Sequence, residues 1–181
     1  MNKLIAVVGM SGTGKSVITE YLENSNWKKL YMGGITYKLM EEAGVERTKD
    51  GKSEKEFREK LRKEHGPECY AKFMEKDIKK ELEKGNVVID GLYSWYEYKY
   101  LIEKFPTLKL ICVVTDKKLR YERVANRPER PFDLEAIQYR DISEIENLYK
   151  GGPIAYADYY ILNNGTVDNS INQLKQILEE V

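Results

Sequence analysis

Eight residues near the start of the chain have the composition and spacing of a phosphate-binding loop. The run Gly9-Met10-Ser11-Gly12-Thr13-Gly14-Lys15-Ser16 reads G-x-x-x-x-G-K-S/T. In such a loop the glycines let backbone N–H groups turn toward an anionic phosphate at the positive end of a helix. Lys15 would reach the terminal phosphates, and the Ser16 hydroxyl would bind Mg²⁺. The residues predicted to hold a nucleoside triphosphate are Gly9, Ser11, Gly12, Thr13, Gly14, Lys15, Ser16 and Val17.

The segments on both sides of this loop are those that phosphate binding requires. Residues 3–8 form a short apolar run that predicts a β-strand, and residues 17–22 have helical spacing of their apolar side chains. The alternative is a glycine-rich turn capped by Ser16, without a ligand. Because a strand and a helix flank the loop, we favour the nucleotide site.

A second candidate is Asp90, which precedes Gly91 at the end of the apolar run 86–90. In α/β proteins ligands bind at the carboxyl ends of the strands. If this strand neighbours the first one, Asp90 would face the phosphate loop. It could then hold a Mg²⁺-bound water or accept a proton from an attacking hydroxyl, although an Asp that caps a helix is the alternative. Gly91 would permit close backbone approach to a substrate, and Tyr93 lies nearest this edge.

A third group of candidates is a series of arginines that begins in the predicted helix 117–125 and continues past a segment with two prolines. An arginine-bearing helix face is ordinarily solvated surface. Beside a phosphate loop, however, arginines aimed at a transferring phosphoryl group are worth roughly 10³–10⁵ in rate. Residues 126–133 contain both prolines and predict a mobile flap, and Asp133 or Asp141 could pair with some of the cations. The five arginines are Arg120, Arg123, Arg127, Arg130 and Arg140.

Composition bounds the class of protein. The 181 residues include thirty basic and thirty acidic side chains, so no overall field recruits nucleic acid or an anionic membrane. Cys69, Cys112 and His65 have no metal-type spacing, and two lone cysteines suit a reducing compartment. The apolar run near the start of the sequence is too short for a signal peptide or a membrane span. We expect a cytoplasmic domain with a small-molecule partner, as a monomer or a homodimer.

Apolar runs alternate with helical segments along the chain, which predicts an α/β fold with a parallel sheet. The unbroken apolar runs predict strands buried on both faces. Over fifty residues of charged, mostly helical sequence between the second and third strands predict a helical insertion. The predicted strands are 3–8, 28–32, 86–90, 108–115 and 159–163, and the predicted helices are 15–24, 35–43, 54–64, 67–84, 94–104, 117–125, 133–148 and 168–180.

Together these residues resemble the P-loop nucleotide kinases of the adenylate-kinase-like superfamily over essentially the whole chain. The pattern is most similar to dephospho-CoA kinase-like proteins, including an archaeal branch. The resemblance implies a single three-layer α/β/α kinase domain, residues 1–181, with a five-stranded parallel sheet in the order 2-3-1-4-5. It also implies a substrate-binding region at about 34–84 and a lid at about 126–140. The residues that carry it are 9–16, 87–91, Arg123, Arg127, Arg130, Arg140-Asp141 and 157–163.

The resemblance also implies an activity and residue roles. ATP and Mg²⁺ would be used to phosphorylate a small acceptor, with Asp90 touching the metal through water or orienting the acceptor. By position, Arg123 matches an arginine that stacks on adenine, and Arg127 matches one that contacts the ATP phosphates. Arg130 and Arg140 would be lid residues that clamp the transferred group. Asn164, in the turn after the last strand, would border the adenine.

The chain departs from its relatives in the region expected to bind the acceptor. Where dephospho-CoA kinases carry an acidic pair after the second strand, this chain has Tyr31-Met32-Gly33-Gly34-Ile35. The archaeal branch tends to have an arginine after Asp-Gly, where this chain has Leu92-Tyr93-Ser94-Trp95. We therefore predict a nucleotide or another flat acceptor, with a non-nucleotide metabolite kinase or a nucleotide-dependent switch as alternatives. The predicted substrate-binding residues are Gly33, Arg62, Gly91 and Tyr93.

Overall fold

A computed structural model describes residues 2–48, 51–128 and 131–181. Five parallel strands form one sheet in the order β2-β3-β1-β4-β5, which confirms the order expected from the resemblance. At most strand ends, the observed bound differs from the predicted bound by a single residue. Their bounds are β1 Leu4–Val8, β2 Lys28–Tyr31, β3 Val87–Asp90, β4 Lys109–Val114 and β5 Tyr159–Leu162.

Eight of the helices in the described ranges correspond to predicted ones, and a five-residue helix, α8, was not predicted. Within these ranges no helix combines the length and the apolar composition needed to cross a bilayer. The helix bounds are α1 Lys15–Asn24, α2 Met32–Glu42, α3 Lys52–His65, α4 Cys69–Leu82, α5 Trp95–Lys104, α6 Lys117–Ala125, α7 Leu134–Glu146, α8 Gly151–Ala155 and α9 Val167–Glu180.

Two hydrophobic cores lie on opposite faces of the sheet. Strand β1 is buried along its whole length, and alternate residues point to alternate faces. Leu4, Ala6 and Val8 belong to the core that includes α4 and α5, whereas Ile5 and Val7 belong to the core with α1 and α9. This burial on both faces explains why the central strands are unbroken apolar runs. The sheet lies between two layers of helices, so the fold has three layers.

The strand register brings the carboxyl ends of the strands to one edge of the sheet. Val7 of β1 pairs with Asp90 of β3, and Val8 pairs with Cys112 of β4. Cys112 in turn pairs with Tyr160 of β5, just before Asn163. The segments that follow β1, β3, β4 and β5 therefore meet around the loop between β1 and α1.

Candidate active site

The loop between β1 and α1 has a backbone that only glycine adopts easily. Gly12 and Gly14 have φ values of +81° and +88°, in the left-handed region. A Cβ atom on Gly12 would lie 2.6 Å from the carbonyl oxygen of Arg120, and one on Gly14 would meet the side-chain amide of Asn163. The loop is thus closely covered by α6 and by the segment after β5.

We expect Gly12→Ala to lower both stability and nucleotide affinity. The left-handed φ costs an alanine about 1–2 kcal/mol, and the overlap with the Arg120 carbonyl adds to that cost. Because the loop must shift to relieve the overlap, nucleotide affinity should fall roughly tenfold or more, which titration calorimetry would measure. Gly44→Ala is the matched control, since Gly44 has a φ of +65° with no atom near its missing Cβ. Equal losses of affinity in the two variants would contradict the expectation.

Lys15 lies folded back on the loop itself. Its Nζ donates hydrogen bonds to the carbonyl oxygens of Gly9 and Met10, each at 2.9 Å. Burial, followed by the nearby charge of Lys150, lowers the pKa of Lys15 to about 7, against the attraction of Glu144 and Asp90. The ammonium group is therefore held where added negative charge, such as that of a phosphate, would stabilise its protonated form.

Asp90 lies beside the first turn of α1, where the sequence places it if β3 neighbours β1. Its Oδ2 accepts a hydrogen bond from the Thr19 hydroxyl at 3.4 Å, and the same hydroxyl lies 3.3 Å from the Ser16 carbonyl oxygen. Burial raises the pKa of Asp90, although Lys15 opposes this effect. Ser94, not Asp90, caps α5, which removes the helix-capping alternative.

The residues predicted to bind Mg²⁺ have the chemistry that this ion prefers. Hydroxyl and carboxylate oxygens are hard donors, and Mg²⁺ is usually held by few protein groups together with substrate phosphates. Ser16 is exposed at the start of α1, and Thr19 joins it to the Asp90 carboxylate. Ser16 and Asp90 therefore fit the ion, Asp90 through a water.

A cluster of charged side chains from α7 and the start of α8 lies near Lys15. Arg140 Nε donates to Glu144 Oε1 at 2.9 Å, one helical turn away on α7. Lys150 Nζ donates to the other oxygen, Glu144 Oε2, at 2.7 Å. Burial raises the pKa of Glu144, but Lys150 and Arg140 outweigh it and hold that pKa at about 2. Of this cluster, sequence reasoning named Arg140 and missed Glu144 and Lys150.

Arg120 joins the phosphate loop to α7. Its Nη1 donates to the Ser11 carbonyl oxygen at 2.8 Å and to Asp141 Oδ1 at 3.1 Å, and its Nη2 pairs with Asp141 Oδ2. Arg120 and Asp141 are both buried, and the Tyr121 hydroxyl donates to the same carboxylate. Arg120, one of the five arginines singled out in the sequence, thus connects α6 to the phosphate loop and to α7.

Asn163, which follows β5, supports the other side of the loop. Its side-chain Nδ2 donates to the Thr13 carbonyl oxygen at 2.8 Å, and its Oδ1 accepts from the Ser170 hydroxyl at 2.9 Å. Arg123 Nη1 donates to the Asn163 carbonyl oxygen at 3.0 Å, so the guanidinium that sequence reasoning assigned to adenine is anchored at this edge. The neighbouring Asn164 accepts from the Asp116 backbone N–H at 2.9 Å.

Two tyrosines cover the edge near β2 and β3. The ring of Tyr31 lies against Gly33, because a Cβ there would be 2.9 Å from its Cε2 atom. Burial raises the pKa of both Tyr31 and Tyr93, and each phenol affects the pKa of the other. Gly91, with a φ of +89°, lies directly beneath Tyr93. The predicted substrate residues Gly33, Gly91 and Tyr93 therefore lie together.

Arg62 lies further from the loop and is paired. Its Nη2 is 3.5 Å from Glu97 Oε1, while Glu97 Oε2 accepts from the backbone N–H groups of Tyr93 and Ser94 at 2.9 and 3.0 Å. The arginine therefore helps to fix the segment after β3. A cleft of about 200 Å³ opens beside it, and its lining residues are Arg62, Pro67, Ser94, Tyr96, Asn147, Leu148 and Tyr149.

The remaining arginines lie around a single aromatic ring. The guanidinium carbon of Arg127 is 4.9 Å from the centroid of Phe132, and that of Arg140 is 5.7 Å from the same centroid. The structure therefore brings Arg127 and Arg140 to the same ring, that of Phe132, just before α7. Arg130, also predicted to act on the transferred group, lies outside the described residues.

A parallel sheet of this order, with a glycine-rich phosphate-type loop after its central strand, defines the P-loop kinase fold. Residues 5–146 match the AAA domain family. A UPF0200 protein of Thermococcus gammatolerans is 32% identical over 98% of this chain and 95% of its own length. The chain belongs to this AAA domain family and to the UPF0200 proteins.

Solved structures of kinases share the fold. Shikimate kinase from Bacteroides thetaiotaomicron superposes with a TM-score of 0.62 at 17% identity, covering 99% of both chains. Dephospho-CoA kinase from Campylobacter jejuni superposes with a TM-score of 0.59 at 20% identity, covering 98% of this chain and 96% of its own. The resemblance to P-loop kinases that the sequence motifs indicated is thus confirmed at the level of fold.

Proposed function

We propose that the protein is an ATP- and Mg²⁺-dependent kinase that phosphorylates a small acceptor, in the first place a nucleotide. The observation that carries the proposal is the position of Asp90, which pairs in register with Val7 just before the phosphate loop and accepts a hydrogen bond from Thr19 of α1. The charges of Asp90, at the end of β3, and of Arg140, on α7, both act on Lys15 of that loop. A loop kept only for structure would not need a carboxylate and an arginine from two other elements around its lysine.

The loop and α1 would bind the ATP phosphates. Backbone N–H groups of residues 12–17 would surround them, and Lys15 would leave its two carbonyl partners to contact the β- and γ-phosphates. Ser16 and Asp90, the latter through water, would hold Mg²⁺, which supplies charge neutralisation on the phosphate oxygens. Arg123 and Asn164 would border the adenine from the edge formed by β5.

The transfer step requires little covalent chemistry from the protein. The attacking oxygen of the acceptor, from a hydroxyl or from a phosphate, forms a bond to the γ-phosphorus as the bond to the β,γ-bridging oxygen breaks, and ADP leaves with that electron pair. As the alternative to its role at the metal, Asp90 would orient the acceptor and, where the attacking group is a hydroxyl, take its proton, a role that its raised pKa favours. Arg127, Arg130 and Arg140 neutralise the charge on the group in transfer.

The acceptor would lie beside Tyr31 and Tyr93. Two neighbouring phenol rings offer a flat apolar surface, on which a nucleobase can stack. Gly33 and Gly91 lie directly against these rings, and their lack of a side chain leaves room for Tyr31 and Tyr93 at this edge. We propose that residues 34–84 form the substrate-binding region and that residues 126–140 act as a lid, which would exclude water during the transfer.

A non-nucleotide metabolite is the second candidate for the acceptor. The cleft beside Arg62 measures about 200 Å³, below the range of roughly 300–1,000 Å³ typical of drug-sized ligands. An acceptor of a single ring would suit that volume. A nucleotide-dependent switch with slow hydrolysis is less well supported, because a switch does not require the arginines to surround a second small ligand.

The test is ADP release from Mg-ATP, measured by a coupled assay against a panel of acceptors. The panel holds ribo- and deoxynucleoside monophosphates, dephospho-CoA, nucleosides, sugars and shikimate. We expect a nucleoside monophosphate to stimulate release strongly over the rate with water alone. Stimulation by a sugar or by shikimate instead would establish the second candidate. A slow rate that no acceptor changes would contradict the proposed kinase.

A further inference from the structure

Lys150 is a buried lysine that the proposed transfer does not use. Its side chain is 2% exposed, and its Nζ lies 5.1 Å from the centroid of the Tyr93 ring. Enclosing an ammonium group is costly unless charges or hydrogen bonds compensate for the lost water. The groups around Lys150 must therefore compensate for the water that its ammonium group has lost.

The bonds between Lys150 and Glu144 tie this lysine firmly to the end of α7. Besides the side-chain pair at 2.7 Å, the Lys150 backbone N–H donates to the Glu144 carbonyl oxygen at 3.1 Å. Tyr149, which precedes it, has a φ of +53°, so the chain turns sharply between α7 and α8. Arg140 shares the same carboxylate from one turn earlier on α7. The three side chains are thus held as one unit.

The charges in this unit do not balance. In the described part of the chain, the side chains with the largest electrostatic effect on Lys15 are Lys150, Glu144, Asp90 and Arg140. Together with Lys15 they make three cations and two carboxylates, and the single charge of Glu144 is shared between Arg140 and Lys150. A positive excess between low-dielectric walls attracts an anion.

We infer that Lys150 is a further cation of the site that takes the terminal phosphoryl group, beside Lys15 and Arg140, and that Glu144 holds both Lys150 and Arg140 in place. The group that fits is a terminal phosphate with two negative charges, next to a phosphate loop that already holds its neighbours. This inference rests on the proposed function only for the fate of that phosphate. The site itself would exist in a nucleotide-binding protein without transfer activity.

A lysine that served the fold alone would stabilise Glu144 and affect all ligands equally. A lysine in the site must instead distinguish a triphosphate from a diphosphate, because ADP lacks the group that the site takes. The ratio of the two affinities therefore separates the two roles. Neither binding measurement needs an acceptor or turnover.

The experiment compares Lys150→Met with wild type by titration calorimetry, using ATPγS and ADP with Mg²⁺ as the probes. We expect ATPγS affinity to fall at least tenfold and ADP affinity to stay within about threefold, since a tenfold change corresponds to about 1.4 kcal/mol. Lys150→Arg should retain the preference for the triphosphate. Lys99→Met, which removes an exposed lysine on α5, is the control and should change neither affinity.

Other outcomes would overturn the inference. Equal weakening of ATPγS and ADP would assign Lys150 to the fold, and no weakening of either would remove it from the site. If the methionine variant does not fold, Lys150→Gln replaces it, because an amide can still donate to Glu144. A panel without any active acceptor would contradict the proposed kinase, yet the ratio of ATPγS to ADP affinity would still decide the role of Lys150.

Discussion

Lys15→Met is expected to lower turnover by about 10³-fold while leaving the fold intact, because removal of one preorganised charge-stabilising donor costs about 10²–10³ and this donor also binds the phosphates. The two hydrogen bonds lost are those to the Gly9 and Met10 carbonyl oxygens, which water can replace at the loop. The measurements are ADP release with the best acceptor and the midpoint of thermal unfolding.

Asp90→Asn provides the companion measurement for the same site. The amide preserves the shape of the side chain beside Thr19 but neither takes a proton nor carries a charge. We expect a loss of turnover comparable to that of Lys15→Met, with ATP affinity much less affected. Lys99→Met, on the exposed surface of α5, is the control for a lost lysine. Near wild-type turnover in either site variant would show that the residue was wrongly assigned.

Arg120→Met is expected to destabilise the protein by about 3–5 kcal/mol, the usual cost of removing one partner of a buried ion pair. The Asp141 carboxylate would remain buried with the Tyr121 hydroxyl as its neighbour, and the Ser11 carbonyl would lose its donor. Because the lost contacts join α7 to the phosphate loop, nucleotide affinity should fall as well. Denaturant unfolding measures the first effect and calorimetry measures the second.

The double variant Arg120→Met/Asp141→Leu separates charge from packing. Replacement of a whole buried pair by apolar side chains is often close to neutral, so most of the lost stability should return. Nucleotide affinity should remain low, since the donor to Ser11 is still missing. A double variant as unstable as Arg120→Met would contradict this account. For comparison, an exposed pair such as Lys60 and Glu64 contributes about 0–1 kcal/mol.

The strands and the phosphate loop could be predicted from the sequence because their signals are local. Val87-Val88-Ile89 is an apolar run without alternation, as burial on both faces requires, and the sheet order confirms this reading. The position of Asp90 beside α1 followed from the resemblance together with its place at the end of that run. Long-range information was needed only for the order of the strands.

The cluster around Lys150 could not be predicted, since its signal depends on tertiary contacts. A lysine before Gly151-Gly152-Pro153 is typical of an exposed turn, and the five-residue helix α8 is too short for a periodic pattern. Its burial depends on Glu144 and on Tyr93, which is far away in sequence. The available signal was the spacing of Arg140 and Glu144 on one face of α7.

Other differences have similar physical causes. Helix α2 begins at Met32, three residues before the predicted start, although Gly33 and Gly34 disfavour a helix. The Tyr31 ring occupies the space where their side chains would lie, so the fold overrides propensity. Arg62 was predicted to contact the substrate from its charge, and Arg123 was predicted to contact ATP from the resemblance. The structure shows that both also bond to neighbouring segments.

The bond between Asn163 and Thr13 joins positions 150 residues apart, which has a consequence for how the site comes into being. The loop sequence leaves the ribosome well before its supporting amide, which is made 150 residues later, and before the Ser170 hydroxyl behind that amide. A nascent chain that stops before β5 would carry every residue of the loop without the groups that shape it. Acquisition of nucleotide binding would therefore be a late event in folding, because contacts of such separation form slowly.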